Sequence, residues 1–386
     1  MAKSTWLLKK GRGFQFASLV DGQITVLSPK LIDWYARQPP DQLSMVQLQG
    51  ERLQQMFTMN DSFAAHGSNL DLEKLIIRSM TLHSKTVIPG LHEEIELASP
   101  MAFPSVGDDW ESVCLGDAIS EVIAATTTRL SVGAPIFGKR FTKPSKELIM
   151  PHIATYLKEA DDLVDGRSSL PSDNFLSWYI IEAKKSSDTT YSLDPTVIYG
   201  SLCTINFAGL VPVKLMATSV VIDLLAAQDS SDLIDALRAE ITEVSKTIPG
   251  RHFTWKDLER LPLVDAAIRE SCRLSLAGTV DMQRLVSQRI VTPDNVTLEP
   301  GSVTAMPVHA IHGDESIYPD PAKYNPFRYL TATSPGAASN STETTSTKKS
   351  SVTELSYKPT AKYVTFGYGT FAAKFLAGRG SDSATE

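Results

Sequence analysis

Cysteine is scarce in this chain, and its scarcity excludes two common ways of holding a fold together. Only three of the 386 residues are cysteines, Cys114, Cys203 and Cys272, and no two form a Cys-x-x-Cys pair. Disulfide-rich secreted domains and structural zinc sites rely on closely spaced, paired cysteines. We therefore expect a reducing compartment and no structural zinc.

Positive charge is also in short supply. The formal net charge is −7 and no long basic run occurs, so nucleic acid is not expected as the main partner. We identify no run of the roughly 20 apolar residues that a helix needs to span a bilayer. The basic residues 1–12 are not followed by the apolar core of a signal peptide. The chain is therefore expected to carry no transmembrane anchor.

Motifs for metal binding are missing as well. The seven histidines, His152 among them, are interpreted as solitary, with no second ligand at helical spacing. A zinc site gathers several ligands at one point. Each histidine is therefore expected to be structural, and no metal ligand is assigned.

The residues that are present predict several helices and a few short strands. The composition, 42% hydrophobic and 21% charged, is typical of a soluble globular protein, and the length allows several domains or one large helical domain. Helical periodicity predicts helices at 29–38, 70–83, 112–132, 193–228 (with Pro212 inside) and 254–275 (with Thr254 as N-cap and Asp257 three residues on). Alternation and turn residues predict a hairpin at 14–27 and strands at 284–290 and 303–307.

Two short motifs stand in the second half of the chain. Glu270 and Arg273 are three residues apart on a predicted helix, so they share a face and can pair, although such pairs often arise by chance. Near the end, the segment 366–369 reads Phe-Gly-Tyr-Gly, and its two glycines allow a tight backbone loop.

Several motifs in order resemble the cytochrome P450 family. They are the hairpin, a long central helix, Glu-x-x-Arg, Pro-Phe-Arg and Phe-Gly-x-Gly, and together they cover roughly residues 14 to 377. The amino-acid sequence of these motifs most resembles that of fungal members that oxidise terpenoids and other secondary metabolites. The resemblance implies a fold that is mainly α with small β-sheets.

The resemblance also implies cofactor-binding residues. Phe366, Gly367 and Gly369 would belong to the haem-binding loop, where the family's cysteine thiolate ligates the iron. Arg284 matches a position that points at a haem propionate, and the alternative is an ordinary exposed strand arginine. For Arg78 a solvated helix face is preferred over the same propionate role.

A structural triad is implied in the same way. Glu270 and Arg273 would be joined by Arg328, which ends the Pro-Phe-Arg motif. The planar guanidinium fork suits bidentate pairing with a buried carboxylate. The triad would hold the fold and says little about catalysis.

The chain departs from the family pattern at two places. Ala373 stands where the axial cysteine is expected, and in the family's layout the other cysteines lie elsewhere. In the central helix Val211, Pro212 and Val213 occupy the positions of the family's proton relay, and none of them exchanges a side-chain proton. Normal monooxygenation is therefore expected to be disabled as written; a misplaced splice junction near residue 373 would rescue it.

The domain organisation follows from composition and resemblance. Residues 1–330 are expected to form the P450-like core, the Ser/Thr-rich residues 331–358 a disordered insertion, and residues 359–386 a remnant of the haem-binding loop with a truncated tail. The fold is thus expected to be incomplete at its C-terminus. The family's N-terminal anchor is expected to be absent, which favours a cytoplasmic location or one peripheral to the endoplasmic reticulum.

Three functions stay open at this point. The first is a haem-dependent monooxygenase that tailors an apolar, terpenoid-like secondary metabolite with an NADPH-dependent P450 reductase, impaired by loss of the axial cysteine. The second is a non-catalytic remnant that binds an apolar small molecule or a partner. The third is a haem-independent cyclase or isomerase, for which the sequence supplies no general acid or base.

Overall fold

The computed structural model of the protein describes residues 11–54, 69–103, 111–133, 145–161, 170–171, 173–185, 191–248, 250, 252–276, 281–330, 356 and 358–369. Over these ranges the chain is mainly helical with two small sheets, as the sequence predicts. The chain divides into two compact units. Unit 1 takes in 1–52, 219–241 and 261–377, and unit 2 takes in 53–218, 242–260 and 378–386.

The elements are named in chain order. The strands are β1 Phe14–Ser18, β2 Gly22–Val26, β3 Leu43–Ser44, β4 Asp281–Val286, β5 Ile290–Val291, β6 Thr297–Leu298 and β7 Val303–Met306. The α-helices are α1 Ile32–Ala36, α2 Met45–Arg52, α3 Asn69–Leu82, α4 Ser84–Ala102, α5 Leu115–Val132, α6 Ser145–Asp161, α7 Phe175–Lys185, α8 Pro195–Ala226, α9 Ser230–Lys246, α10 Trp255–Leu258, α11 Pro262–Ser271 and α12 Val308–His312. A π-helical turn, Cys272–Leu276, continues α11, and 3-10 turns lie at Pro29–Leu31 and Pro326–Tyr329.

Unit 1 is built on a five-stranded sheet in the order β1-β2-β7-β4-β3. The predicted hairpin is confirmed, with β1 and β2 antiparallel and Ser18 opposite Gly22. β2 and β7 are parallel, and β4 is antiparallel to β7. The main apolar cluster under this sheet includes Tyr35, Val286 and Val364. The sheet core therefore joins residues from both ends of the chain.

Unit 2 is helical. α4 packs against α5, and α7 packs against α3, α5 and α6. Its core includes Ile153, Phe175, Leu176 and Ile180, all fully buried. The predicted helices at 70–83 and 112–132 are confirmed as α3 and α5, with Gly133 after the end of α5.

The predicted helix at 254–275 is wrong as a single element. Thr254 and Asp257 do form the expected capping box, but the helix they open, α10, ends at Leu258. Leu261 leaves the helical region of backbone space, and Pro262 starts α11. Proline cannot donate the backbone hydrogen bond that a continuous helix needs, but it is well suited to the first turn of a new one.

The central helix α8 contradicts the expectation that no segment is long and apolar enough to span a bilayer. It spans 32 residues with a mean hydropathy of 1.7 in its most apolar window, enough by length and composition alone to cross a bilayer. The core helix of a soluble protein meets the same criterion. Pro212 lies within the helix without ending it. Gly209 faces α5, where a Cβ would come within 3.0 Å of the methyl carbon of Thr127.

Candidate functional site

The carboxylate of Glu270 lies at the centre of a buried polar cluster in unit 1. Glu270 is a fully buried residue in the last turn of α11, and Arg273 follows on the π-helical turn with 1% of its surface exposed. The Arg273 guanidinium is bidentate: Nε donates to Oε2 of Glu270 at 2.9 Å and Nη2 to Oε1 at 2.8 Å. Residues three apart on a helix share a face, which brings the pair together.

The segment that ends in Arg328 adds further donors to the same carboxylate. Arg328 Nε donates to Glu270 Oε1 at 3.1 Å, and the Tyr329 hydroxyl donates to Oε2 at 3.0 Å. The backbone N–H of Asn325 also donates to Oε1. The other two nitrogens of the Arg328 guanidinium donate to the carbonyls of Pro319 and Lys323. The structure thus brings together the three residues that the sequence groups as a triad.

Burial and charge together set the proton affinities in this cluster. Desolvation by itself lowers the pKa of Arg273, but the hydrogen bonds and charge of Glu270 outweigh it, so the pKa is raised above its ordinary value. Desolvation, reinforced by the Glu270 carboxylate, raises the pKa of Tyr329. Arg273 therefore stays charged and Tyr329 stays a hydrogen-bond donor at physiological pH.

His312 links this cluster to the segment that precedes the glycine loop. Its Nδ1 lies 3.1 Å from the Arg273 carbonyl, and its Nε2 accepts from the backbone N–H of Val364 at 3.0 Å. The second contact makes Nε2 the acceptor, so Nδ1 carries the proton and the ring is neutral. Desolvation by burial is the main reason that the pKa of His312 is lowered to about 3.

The glycine loop itself is described as far as Gly369. Gly367 and Gly369 have φ angles of 81° and 73°, in the region that disfavours residues with a side chain. A Cβ on Gly369 would lie 2.7 Å from the Cβ of Ala36. The Tyr368 hydroxyl donates to Asp33 at 3.0 Å. The loop therefore lies directly against α1, and both glycines have a steric reason to be there.

Arg284 lies in the interior of unit 1, so the alternative of an ordinary exposed strand arginine is wrong. It is 2% exposed on β4, Nη1 donates to the carbonyl of Tyr35 at 2.7 Å, and the guanidinium lies over the Tyr35 ring. Burial lowers the pKa of Arg284. Contact between Arg284 and a haem propionate stays a prediction. In unit 2, Arg78 pairs with Glu182 and its side chain is 62% exposed, which fits the preferred surface reading.

The three cysteines all lie outside the stretch of sequence that follows the glycine loop. Residues 370–386, which include Ala373, lie outside the described residues, and the sequence there holds no cysteine. Cys272 is the cysteine of unit 1, and it is buried with a pKa raised by desolvation to about 12, so it stays a thiol. Cys114 and Cys203 belong to unit 2, on α5's N-terminal cap and on α8. A thiol is a poor iron ligand because the thiolate is the binding form.

A second group of polar side chains lies in unit 2, and the sequence interpretation missed it. His92 and Glu96 on α4 meet His252, which precedes α10. The prediction that the histidines stand alone is therefore wrong for these two. The spacing of His92 and Glu96, four residues apart on a helix, was readable from the sequence. His252 lies 160 residues further along the chain, and no sequence pattern connects it to α4.

Comparison with known proteins places this chain beside cytochrome P450 proteins. A family profile described as cytochrome P450 matches residues 127–370. The chain is 22% identical to the cytochrome P450 monooxygenase efuH of Hormonema carpetanum over 93% of this chain and 70% of that protein. It is 30% identical to the monooxygenase htyF of Aspergillus rugulosus, but over 51% of this chain and only 28% of that protein.

Solved structures support the fold. A structure of zebrafish cytochrome P450 with abiraterone superposes with a TM-score of 0.58 at 13% identity, covering 98% of this chain and 87% of that one. Retinoic-acid-bound cyanobacterial CYP120A1 gives a TM-score of 0.61 at 14% identity, with 97% and 83% covered. At these identities the likeness establishes the fold and leaves the ligand of this chain open.

Proposed function

Because the chain belongs to the cytochrome P450 family, we propose that it keeps the family's scaffold for haem and an apolar fungal metabolite, while its oxidative chemistry is impaired. The observation that carries the proposal is the glycine loop at 366–369, which has the family's opening residues but no cysteine after them. Haem would supply oxygen activation in this family, and the thiolate is the ligand that favours O–O cleavage.

The described contacts support retention of the scaffold. Glu270 holds Arg273 and Arg328, and His312 ties this cluster to the backbone just before the loop. Breaking a buried ion pair is costly, so such a network persists only while the surrounding fold is stable. We propose that the triad holds the fold and that Phe366, Gly367 and Gly369 belong to the haem-binding loop.

Two features of the sequence support impairment. Ala373, at the position of the axial cysteine, has no atom that can ligate iron. On α8, Val211, Pro212 and Val213 stand where the family places its proton-relay side chains, and none can donate or accept a side-chain proton. Loss of the ligand and loss of the relay are independent changes with the same chemical consequence.

The substrate class and redox partner are proposed from the family resemblance of the sequence. The matched fungal proteins are named monooxygenases. We propose that this chain acts in secondary metabolism on a terpenoid-like apolar ligand. An NADPH-dependent P450 reductase would be the electron donor for any activity that remains.

A non-catalytic binding function is the alternative. Apolar side chains four residues apart on one face of α8, Phe207, Val211 and Leu215, are 43%, 38% and 53% exposed. An exposed apolar stripe favours binding of an apolar small molecule or a partner. Such a protein would use the P450 scaffold without its chemistry.

Aerobic NADPH oxidation tests whether the oxidative chemistry is impaired. The full chain, supplemented with haem and a fungal P450 reductase, is incubated with a panel of apolar terpenoids. Impairment predicts no substrate-dependent NADPH consumption and no oxidised product. Binding of a terpenoid is measured separately, as quenching of tryptophan fluorescence. Product formation would overturn the proposal. Sequencing the transcript across codon 373 tests the splice-junction alternative, since a cysteine there would restore the ligand.

A further inference from the structure

We propose that His92, Glu96 and His252 form a binding site for a Zn²⁺-class divalent transition metal in unit 2. The ligand-bearing atoms of the three side chains all lie within 4.8 Å of one another. Two imidazoles and one carboxylate are a nitrogen-rich donor set that suits Zn²⁺ and its neighbours in the first transition row. All three residues belong to unit 2, and none is a member of the Glu270 cluster or of the glycine loop.

The spacing of the donor atoms matches a metal of this size. The two Nδ1 atoms are 3.1 Å apart, Nδ1 of His252 is 3.2 Å from Glu96 Oε2, and Nδ1 of His92 is 3.7 Å from the same oxygen. Ligands about 2.0–2.1 Å from a tetrahedral zinc are separated by roughly 3.3 Å. A metal ion placed between these atoms would therefore need only small shifts of the side chains.

The backbone around the site explains how the donors meet. His92 and Glu96 lie one turn apart on the same face of α4. His252 lies two residues before Thr254, whose capping box with Asp257 fixes the start of α10. The Phe253 ring packs against the His92 ring at 5.1 Å between centroids. One side of the cluster is thus apolar, and a tetrahedral ion held by these three ligands would have its fourth position open to water.

The same contacts give the cluster a role once a metal is bound. Without a metal, one imidazole donates a hydrogen bond to the other, and Glu96 faces both. A metal bound at the three donor atoms would replace this hydrogen bond with three coordination bonds. It would connect α4 to the segment before α10. The two histidines that form this connection are 160 residues apart in the chain. Any ligand that binds only the folded form stabilises it by mass action.

The experiment uses the full chain without a histidine tag, stripped of metal by chelator dialysis. Calorimetric titration with Zn²⁺ is expected to give one site per chain. Titration with Co²⁺ is expected to give the visible absorbance of a tetrahedral nitrogen and oxygen site. Loss of one ligand should weaken binding at least about tenfold in H92Q and H252Q, since even supporting residues around a metal contribute about that much.

Matched variants make each outcome decisive. H309Q removes an exposed histidine of unit 1 and should bind Zn²⁺ like the wild type. E96Q changes an exposed side chain and should also weaken binding, which covers the case in which a histidine variant fails to fold. Saturable binding that falls in H92Q, H252Q and E96Q but not in H309Q upholds the site. No binding by the wild type, or equal binding by all the variants, would overturn it.

Discussion

Nε2 of His312 accepts a hydrogen bond from the backbone N–H of Val364 at 3.0 Å. The other ring nitrogen faces the carbonyl of Arg273 at 3.1 Å, and the Arg273 side chain donates in return to the carbonyl of His312 at 2.7 Å. A single neutral imidazole therefore connects the buried ion-pair cluster to the segment that leads into the glycine loop. Protonation of His312 would remove its only acceptor and break this connection.

The His312 connection should make stability depend on pH. Burial lowers the pKa of this histidine from 6.5 to about 3, so the unfolded chain binds more protons than the folded chain between these values. Stability is then fully present above pH 6.5 and is lost as pH falls toward 3. One such proton contributes at most about 1.4 kcal/mol per pH unit. Urea unfolding at pH 7.5 and pH 5.5 measures the loss.

Other buried groups also titrate in this range, so the test is a comparison of variants. H312N keeps a donor toward Arg273 but has no titrating ring, and its loss of stability between the two pH values should be smaller than that of the wild type. H309N changes an exposed histidine on the same helix and should keep the wild-type dependence. An unchanged pH dependence in H312N would rule out the neutral buried imidazole.

Glu270 should be essential for a stable fold. Glu270→Ala leaves the buried Arg273 and the partly buried Arg328 without their carboxylate, and breaking a buried pair in this way costs about 3–5 kcal/mol. We expect little soluble protein, or a strongly lowered urea midpoint where the variant is soluble. Glu243→Ala is the control, because Glu243 pairs with Lys246 at the same helical spacing but is 71% exposed. That change should stay within about 0.5 kcal/mol of the wild type.

Gly369 should tolerate a side chain less well than another glycine with the same backbone conformation. Gly369→Ala meets both a left-handed backbone, which costs an L-residue roughly 1–2 kcal/mol, and a clash with Ala36, which adds roughly 1–3 kcal/mol. Gly301→Ala has a similar φ of 79° but open space around its Cβ, so it carries the first cost alone. Thermal unfolding of the two variants should differ; equal melting temperatures would mean that the loop does not lie against α1.

Cys272 should be chemically inert in the folded protein. Its pKa of about 12 and its complete burial keep it protonated and shielded, whereas Cys114 is exposed. A maleimide is expected to modify Cys114 quickly in the native protein, and to reach Cys272 only after denaturant is added. Mass spectrometry of the labelled peptides reads out both sites. Rapid native labelling of Cys272 would contradict the buried environment and reopen it as a ligand.

Sequence patterns indicated those parts of the fold that depend on neighbouring residues or on family motifs. The confirmed hairpin at β1 and β2 follows from alternation around a turn, and the pairing of Glu270 with Arg273 follows from helical spacing. The break at Pro262 was missed because apolar periodicity runs through it, although proline itself marked the boundary. The link from His312 to Val364 and the meeting of His92 with His252 depend on tertiary packing between distant residues, which no local pattern encodes.

The absorbance spectrum of the haem-supplemented full chain, reduced with dithionite and exposed to carbon monoxide, tests the central claim most directly. The claim is that no cysteine of this polypeptide ligates the iron. We expect no bound haem, or a ferrous–CO band of the non-thiolate type. The band characteristic of thiolate ligation would contradict the account, and its loss in C272A, C203A or C114A would identify the cysteine responsible.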